Sequence, residues 1–420
     1  MKFFKVIAAL FVASVLTAFF AELLVLNRRG ENGSNNGEEI PPLTDEQEPV
    51  KIADYSGFAT GEAVLSQISV SARSAMLCSS DGYVIFEKNA DTPLPMASIT
   101  KVMSAIVALE LIDDTSKTVT VPREAVGIEG SSVYLESGEK VTYEMLLYST
   151  MLESANDAVT ALAILTAGSE EEFVFLMNKK AKELSMGSTH FCNPHGLSEA
   201  EHFTTARDYT KLMAYSLNNE AFCNIIKTKK ILFEKLDGSM TRVLTNHNRL
   251  LNTYSGMLGG KTGFTKASGR TLVTAASKNG TTIICVTLDA PDDWHDHTSM
   301  LDAGFEAVKT VDITKEELAA TIPVATGVIA EIEATAREPL SFTCARDDEI
   351  TFDIITPHIV FAPISKGDTL GRAKIFKNGK LINEIELVAS EKVNVLEEKT
   401  YKEGVFDKIL GFFRKEKTSE

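Results

Sequence analysis

Paired cysteine spacing is absent from this sequence. Five cysteines are scattered over 420 residues, and no two of them form a Cys-x-x-Cys pair. Such pairs mark structural zinc sites, and dense, even-numbered cysteine sets mark disulfide scaffolds. The odd number also leaves at least one thiol unpaired in a monomer. We therefore expect neither a metal site nor a disulfide framework, and no motif in the chain indicates a cofactor.

Basic residues are also in short supply. The chain has 42 Lys and Arg against 58 Asp and Glu, which gives a formal net charge of -16. Binding to nucleic-acid phosphates requires clustered cations, which the body of the chain lacks. Nucleic acid is therefore not expected as a partner. The length exceeds that of one domain of roughly 100 to 200 residues, so we expect two or three domains.

The first 29 residues combine a basic start, an apolar run over residues 6–26 and a closing Arg28-Arg29 pair. This pattern is typical of an export signal. No clean small-x-small cleavage site appears, and about 20 apolar residues are also enough for an uncleaved membrane anchor, so both alternatives stay open. Either one places the rest of the chain outside the cytoplasm. Residues 30–58 are rich in Gly, Asn, Glu and Pro, which predicts a flexible acidic linker.

Two predicted hairpins frame the next part of the chain. One covers 75–86 and turns at Ser80-Asp81-Gly82, and the other covers 271–288 and turns at Asn279-Gly280. Between them, apolar residues at helical spacing predict helices over 98–112, 143–152, 158–165 and 171–184. The order of strands, helices and strands predicts an α/β domain over 59–311 in which the two ends of the sequence meet in one sheet.

The pattern beyond residue 311 changes to short alternating strands. Segments 349–354 and 371–376 are examples, and Asn378-Gly379 predicts a turn after the second. We therefore predict a smaller all-β domain over 312–395. In the tail, 396–420, four apolar residues would lie on one face of a helix, with basic residues beside them. The apolar residues are Phe406, Ile409, Leu410 and Phe413. This pattern indicates a helix on a membrane surface, and a helix packed on the β domain is the alternative.

A Ser-x-x-Lys motif stands at the start of the first predicted helix. Ser98 and Lys101 lie one helical turn apart and face the same way. A serine hydroxyl becomes a nucleophile when a neighbouring base takes its proton, and a lysine can be that base only when it is neutral. Burial and a second cation, Lys261, would lower its pKa from about 10.4 by roughly three units. Ser137-x-x-Lys140 also matches, but it lies in a polar turn.

Two further motifs complete an acyl-transfer site. Ser154-Ala155-Asn156 lies between two predicted helices, where a tight connection can project Ser154 and Asn156 into a cleft; a helix cap is the alternative role. Lys261-Thr262-Gly263 occurs once and leads into the second hairpin. A sheet edge with a lysine, a hydroxyl and a residue without a side chain suits an extended peptide that ends in a carboxylate.

Two histidine features are interpreted as structural. His295-Asp296-His297 could bind a metal, but no other residues have ligand spacing, so we predict a solvated helix start before Met300. His195 follows Asn193-Pro194 in a loop. We expect it to be structural or to line the cleft rather than to act as a base.

Taken together, the motifs resemble those of the low-molecular-mass penicillin-binding proteins, the D-alanyl-D-alanine carboxypeptidases of serine peptidase family S11. The resemblance runs from about residue 60 to the C-terminus. Its further segments are Asn193-Pro194-His195-Gly196-Leu197, Thr205-Ala206-Arg207-Asp208, Asn246-x-Asn248 and Gly260 through Thr265. It implies a penicillin-binding/serine β-lactamase-like transpeptidase fold, of α/β (α+β) class, with a smaller C-terminal all-β domain. It also implies a membrane-associated enzyme at the outer face of the bacterial cytoplasmic membrane.

The resemblance implies roles for the motif residues. Ser98 would attack the D-Ala-D-Ala bond of the peptidoglycan stem pentapeptide with Lys101 as base, and β-lactam inhibitors would acylate the same serine. Ser154, Asn156 and Lys261 would carry the proton relay and stabilise charge. The backbone N–H groups of Ser98 and Phe264 would bind the oxyanion. The expected substrate-binding residues are Thr262, Gly263, Phe264, His247, Arg249 and His195.

Recognition of the terminal carboxylate is where the chain departs from the family pattern. Thr262 would bind this carboxylate. Some members carry an Arg between the two Asn of the Asn-x-Asn motif, where this chain has His247, with Arg249 two residues on.

Two alternative functions stay open. A β-lactamase needs a dedicated carboxylate base for rapid deacylation, and no convincing Glu-x-x-x-Asn precedes Lys261. A non-catalytic cell-wall-binding protein is the other alternative, against which the intact Ser98, Lys101 and Lys261 argue.

Overall fold

The structure is a computed structural model that describes residues 68–236 and 238–396. The predicted export signal or anchor, the acidic linker and the predicted tail helix lie outside these residues. Within the described ranges, no helix is long and apolar enough to cross a membrane.

Helices occupy the middle of the described chain. In chain order they are α1 (Lys101–Leu111), α2 (Tyr143–Leu152), α3 (Asn156–Ala167), α4 (Glu170–Glu183), α5 (Ala206–Ser216), α6 (Glu220–Lys227), α7 (Leu250–Thr253) and α8 (Asp293–Ala307). Short 3-10 turns cover Ala97–Thr100 and Arg123–Ala125. Polar side chains accept hydrogen bonds from the first-turn N–H groups of α2, α4, α5 and α6, and thereby fix where these helices begin.

Strands flank the helices on both sides in sequence. They are β1 (Ser74–Ser79), β2 (Val84–Lys88), β3 (Leu94–Pro95), β4 (Thr118–Thr120), β5 (Lys140–Thr142), β6 (Phe203–Thr204), β7 (Lys230–Glu234), β8 (Thr241–Thr245), β9 (Met257–Thr265), β10 (Gly269–Lys278), β11 (Thr281–Leu288), β12 (Val308–Ile313), β13 (Ala319–Ala325), β14 (Glu331–Ala336), β15 (Leu340–Ala345), β16 (Ile350–Ile355), β17 (Val360–Phe361), β18 (Thr369–Lys377) and β19 (Lys380–Ala389). The strands β13 to β19 belong to the C-terminal part of the chain, and β12, which follows α8, leads into it.

A five-stranded sheet of order β2-β1-β11-β10-β9 lies at the centre of the larger domain. β1 pairs antiparallel with β11, with Ser74 opposite Leu288, so the two ends of this part of the sequence meet in one sheet as predicted. Both predicted hairpins are confirmed. Asn279 and Gly280 have φ values of 51° and 80°, as a two-residue type I′ turn requires. β9, which carries the Lys-Thr-Gly motif, is an edge strand.

The helical cluster packs against one face of this sheet. The four predicted helices correspond to α1 to α4, and their existence is confirmed with ends that move by up to three residues. α1 is buried along most of its length, because apolar residues cover all its faces rather than one stripe. The sequence patterns did not predict α5, α6 or the β7–β8 hairpin. α6 has only eight residues, which is short for a periodic signal.

The C-terminal part is built from strands, which confirms the all-β prediction. A six-stranded sheet of order β16-β18-β19-β14-β13-β17 encloses its own apolar core. Asn378-Gly379 joins β18 to β19, as expected. β12 begins directly after α8, so the predicted boundary after residue 311 falls inside a strand. Arg346 donates hydrogen bonds to the carbonyls of Phe305, Glu306 and Val308, and thereby ties this part to the end of α8.

The predicted solvated helix start at His295-Asp296-His297 needs correction. The helix is present as α8, but His297 is fully buried, and its two ring nitrogens lie 2.8 Å from Thr274 Oγ1 and 3.0 Å from Thr287 Oγ1. Asp296 is buried as well and accepts hydrogen bonds from the backbone N–H groups of Ser71 and Ala72. Asp296 and His297 therefore lie between α8 and its neighbours, because specific hydroxyl and N–H partners offset the cost of burial, whereas His295 is exposed.

Candidate active site

Ser98 lies in the 3-10 turn that precedes α1, and Lys101 is the first residue of α1. The Nζ atom of Lys101 lies 3.2 Å from Ser98 Oγ. Gly196 allows the loop after Asn193 to pack under this turn, because a β-carbon there would lie 2.1 Å from the carbonyl oxygen of Ala97. The turn is further held by Tyr209, whose hydroxyl donates to the carbonyl of Ile99. The nucleophile–base pair predicted from the sequence is therefore brought together on a fixed backbone.

Lys101 has two partners that can only accept. Its Nζ lies 2.7 Å from Asn156 Oδ1 and 2.5 Å from the carbonyl oxygen of His195. A neutral lysine has two N–H groups and one lone pair, and these two oxygens take both N–H groups. Among the partners of Lys101 in the described residues, the Ser98 hydroxyl is the one that can also donate. The lone pair of neutral Lys101 is thereby directed at the Ser98 proton.

The surroundings favour this neutral form. Lys101 is completely buried, and burial, together with the nearby charge of Lys261, places its pKa well below the usual value, while Asp157 acts in the opposite direction. Burial also lowers the pKa of Lys261 to about 7, against the opposing charge of Glu153. Two lysines thus lie at one cleft, and the pKa of each is lower than that of a lysine in water.

Ser154 and Asn156 form the second wall. Ser154 has φ of 58° in the three-residue connection, residues 153–155, between α2 and α3. Its hydroxyl is buried and has no hydrogen-bond partner among the described residues. Asn156 donates through Nδ2 to the carbonyl of Glu129, which fixes Oδ1 toward Lys101. Asp157 accepts hydrogen bonds from Ser132 Oγ and from the backbone N–H groups of Val133 and Leu135, and thereby holds the 131–135 loop.

Edge strand β9 forms the third wall. The Lys261 side chain is buried and donates to the carbonyl of Thr262 at 2.9 Å. Gly263 runs so close to β10 that a β-carbon on it would lie 2.4 Å from Thr271 Oγ1. Phe264 is two-thirds exposed at the end of this wall. As an edge strand, β9 has outward-facing N–H and C=O groups that are free to pair with an extended ligand.

These walls enclose a cleft of about 380 Å³. Most of the predicted substrate-binding residues line it, together with four residues that the sequence analysis missed. The complete lining is Ser98, Ser131, Ser154, His247, Arg249, Thr262, Gly263, Phe264, Arg270, Asp293 and Trp294. Lys101, Asn156 and Lys261 lie beneath this surface.

The missed residues come from separate elements. Arg270 on β10 forms an ion pair at 2.9 Å with Asp293, the first residue of α8, and stands over the Trp294 ring. The positions are 23 residues apart, at no spacing that a single helix or strand would produce. The register of β10 with β9 is a possible signal, because it places Arg270 opposite Phe264.

His195 does not line the cleft. It contributes its carbonyl to Lys101, while its ring is buried, with Nε2 3.7 Å from Glu170 Oε1 and Nδ1 accepting from the N–H of Leu197. Burial lowers the pKa of its imidazole to about 4. His247 and Arg249 do reach the cleft, and His247 Nε2 lies 3.4 Å from Glu153 Oε2.

A serine beside a buried lysine, under the edge strand of an antiparallel sheet, defines a site for serine acyl transfer. The sequence model for D-alanyl-D-alanine carboxypeptidase, peptidase family S11, matches residues 61–292, and that for the C-terminal domain of penicillin-binding protein 5 matches residues 305–395. The chain therefore belongs to the D-alanyl-D-alanine carboxypeptidase family of serine peptidases, which confirms the resemblance. Neither the β-lactamase nor the non-catalytic alternative is favoured.

Individual relatives agree with this assignment. The chain is 34% identical over 339 residues to D-alanyl-D-alanine carboxypeptidase DacF of Bacillus subtilis, covering 78% of this chain and 87% of that protein. It is 33% identical to DacC of Escherichia coli, covering 80% and 88%.

Solved structures confirm the fold class. Penicillin-binding protein 5 of Haemophilus influenzae superposes with a TM-score of 0.65 at 24% identity, over 78% of this chain and 98% of that one. The Streptomyces K15 DD-transpeptidase gives 0.54 at 31% identity, over 56% and 98%. The match to penicillin-binding protein 5 is long enough to include the β domain, whereas the transpeptidase matches just over half of this chain.

Proposed function

We propose that this enzyme removes the terminal D-alanine from peptidoglycan stem pentapeptides through an ester on Ser98. The observation that carries the proposal is the contact of Ser98 Oγ with Lys101 Nζ at 3.2 Å, in which the two other partners of Lys101 leave its lone pair for the serine proton. The free edge of β9 supports an extended peptide as the substrate.

Acylation begins when the Ser98 proton moves to Lys101 Nζ and Oγ forms a bond to the carbonyl carbon of the penultimate D-Ala. The backbone N–H groups of Ser98 and Phe264 hold the oxyanion, while Thr262 and Arg249, which line the cleft, bind the terminal carboxylate. The C–N bond then breaks. The leaving nitrogen takes a proton that passes from Lys101 through the unpartnered Ser154 hydroxyl, and D-alanine departs.

Deacylation repeats these transfers with water as the nucleophile. Lys101 takes one water proton as the oxygen attacks the ester carbonyl, and Ser98 Oγ recovers a proton as the C–O bond breaks. The shortened peptide leaves with a new carboxylate. A β-lactam likewise forms an ester with Ser98 when its ring amide opens, so covalent labelling by these inhibitors reports on the acylation step.

The test uses the full chain with a D-Ala-D-Ala pentapeptide and, separately, a labelled penicillin. We expect D-alanine release and covalent labelling, both abolished by Ser98→Ala. The matched control is Ser137→Ala, which removes the serine of the second Ser-x-x-Lys sequence in an exposed loop and should leave both signals unchanged. Labelling that survives Ser98→Ala would refute the assignment, and rapid release of hydrolysed penicillin without D-alanine release would indicate a β-lactamase.

We further propose that the enzyme is exported, acts at the outer face of the bacterial cytoplasmic membrane and contributes to cell-wall organisation and cell shape. The apolar run near the N-terminus and the amphipathic pattern around residues 404–415 support this location. Deletion of residues 404–420 should move the protein from the membrane to the soluble fraction. Undiminished membrane association would instead point to residues 1–29 as an anchor.

A further inference from the structure

Glu153 is the residue between the end of α2 and Ser154. Its Oε1 accepts the backbone N–H of Thr245, at the end of β8, at 2.5 Å. Its Oε2 lies 3.4 Å from Nε2 of His247. One carboxylate thus joins the Ser154 connection to the segment that carries His247, and its side chain remains about one-quarter exposed.

We propose that Glu153 is a positioning residue that joins the Ser154 connection to the His247 segment and whose negative charge keeps Lys261 protonated, which in turn favours a neutral Lys101. This inference rests on the proposed function, since it assumes that Lys101 is the base. Glu153 itself touches neither Ser98 nor a reacting atom, so its effect passes through Lys261 and His247.

The charges around the two lysines support this division. Among the described residues, the charged side chains that act on them are Glu153 and Asp157, besides the lysines themselves. Besides burial, the charge of Lys101 also helps to lower the pKa values of the neighbouring His195 and His202 imidazoles to about 4. Asp157 acts on Lys101, whereas Glu153 acts on Lys261 and opposes the burial that lowers its pKa to about 7. A protonated Lys261 in turn favours a neutral Lys101, because two adjacent cations repel. The carboxylate of Glu153 is therefore placed to hold one lysine charged and the other neutral.

The sign of the expected effect follows from the charge. A lysine that loses an anionic neighbour gives up its proton at lower pH. Glu153→Gln keeps an oxygen that can accept the Thr245 N–H but removes the charge. Lys261 should then become neutral at lower pH, and the basic limb of the pH profile, which requires charged Lys261, should move downward by about one pH unit.

The experiment measures kcat/KM for D-alanine release by the full chain between pH 5.5 and pH 10. Glu153→Gln should shift the basic limb, whereas Glu153→Asp, which keeps the charge, should lower the rate without shifting it. Glu144→Gln is the matched control, since it removes the same charge from the exposed first turn of the same helix. It should reproduce the wild-type profile.

His247→Gln separates the two routes by which Glu153 could act. It leaves the Glu153 carboxylate in place, so KM should rise while the basic limb stays where it is. A Glu153→Gln profile that superimposes on the wild type would overturn the inference, as would an equal shift in His247→Gln. A wild-type enzyme that releases no D-alanine would instead refute the proposed function.

Discussion

Gly263 approaches Ser98 so closely that a β-carbon on residue 263 would lie 2.9 Å from the backbone nitrogen of Ser98. That nitrogen is one of the two proposed oxyanion donors. The absence of a side chain in the third position of the Lys-Thr-Gly motif is therefore a steric requirement of the nucleophile's own backbone, and not only a way to admit the substrate.

Gly263→Ala should therefore slow acylation strongly. Loss or displacement of one oxyanion donor lowers the rate constant by about 10²- to 10³-fold. The rate of labelling by penicillin, measured in single turnover, checks this. Gly187→Ala is the control, since a β-carbon there meets nothing within 4 Å and the rate should be unchanged. Equal rates for Gly263→Ala and the wild type would argue against the Ser98 N–H as a donor.

Lys101→Arg should abolish base catalysis while keeping a cation. The guanidinium stays protonated at every accessible pH, so it cannot take the Ser98 proton. We expect acylation to fall by about 10²- to 10⁴-fold. Lys140→Arg, at the exposed second motif, serves as the comparison and should label at the wild-type rate. Persistent fast labelling of Lys101→Arg would mean that another group acts as base.

Ser154→Ala should separate activity from stability. The Ser154 hydroxyl has no partner among the described residues, so its loss removes no hydrogen bond, and the free energy of unfolding should change by less than about 0.5 kcal/mol. kcat should fall, because the proton relay to the leaving nitrogen is lost. Ser104→Ala offers the contrast, since it removes a 2.6 Å bond to the carbonyl of Pro194 and should cost about 1 kcal/mol. Urea unfolding measures both, and a large loss of stability in Ser154→Ala would contradict the prediction.

His297 should make the protein less stable in acid. Its pKa is lowered by burial from 6.5 to about 3, so between these values the unfolded chain binds a proton that the folded protein excludes. The free energy of unfolding should therefore fall as pH falls through this window, by about 1.4 kcal/mol per pH unit from this group. His297→Gln should be less stable at neutral pH but should show a shallower acid slope.

The difference in acid slope between the wild type and His297→Gln reports the contribution of His297 alone. His195 and His202 have pKa values lowered to about 4, but they are present in both and cancel in the difference. His358→Gln, at an exposed position, should keep the wild-type slope. Parallel stability curves for the wild type and His297→Gln would exclude a role for this histidine.

Much of the fold followed from local patterns, because local chemistry determines those elements. Asn279-Gly280 adopts the turn that its backbone freedom favours, and α1 and α2 form where their apolar residues predicted helices. His297 was misjudged because its burial depends on Thr274 and Thr287, which lie on other strands. The polar residues next to His297 in the sequence indicated exposure, and they carry no information about these two distant hydroxyl groups.

The candidate site divides in the same way. Ser98, Lys101 and the β9 motif could be predicted from the sequence, because the spacing of each motif is set within a single structural element. Arg270 and Asp293 meet only when α8 packs beside β10, and Glu153 gains its partners only when β8 ends beside the Ser154 connection. No single-element pattern records such meetings between elements.

The pairing of β1 with β11 has a consequence for biosynthesis. The sheet that supports the cleft closes only when Leu288 is available to lie beside Ser74. A growing chain that already contains Ser98 and Lys101 still lacks β9, which carries Lys261. It also lacks β10 and β11, which hold β9 in the sheet. Such long sequence separation slows folding, so the newborn chain passes through a long interval without a reactive serine. Sensitivity to β-lactams should therefore begin abruptly with completion of this sheet, and nascent fragments that end before β11 should remain unlabelled.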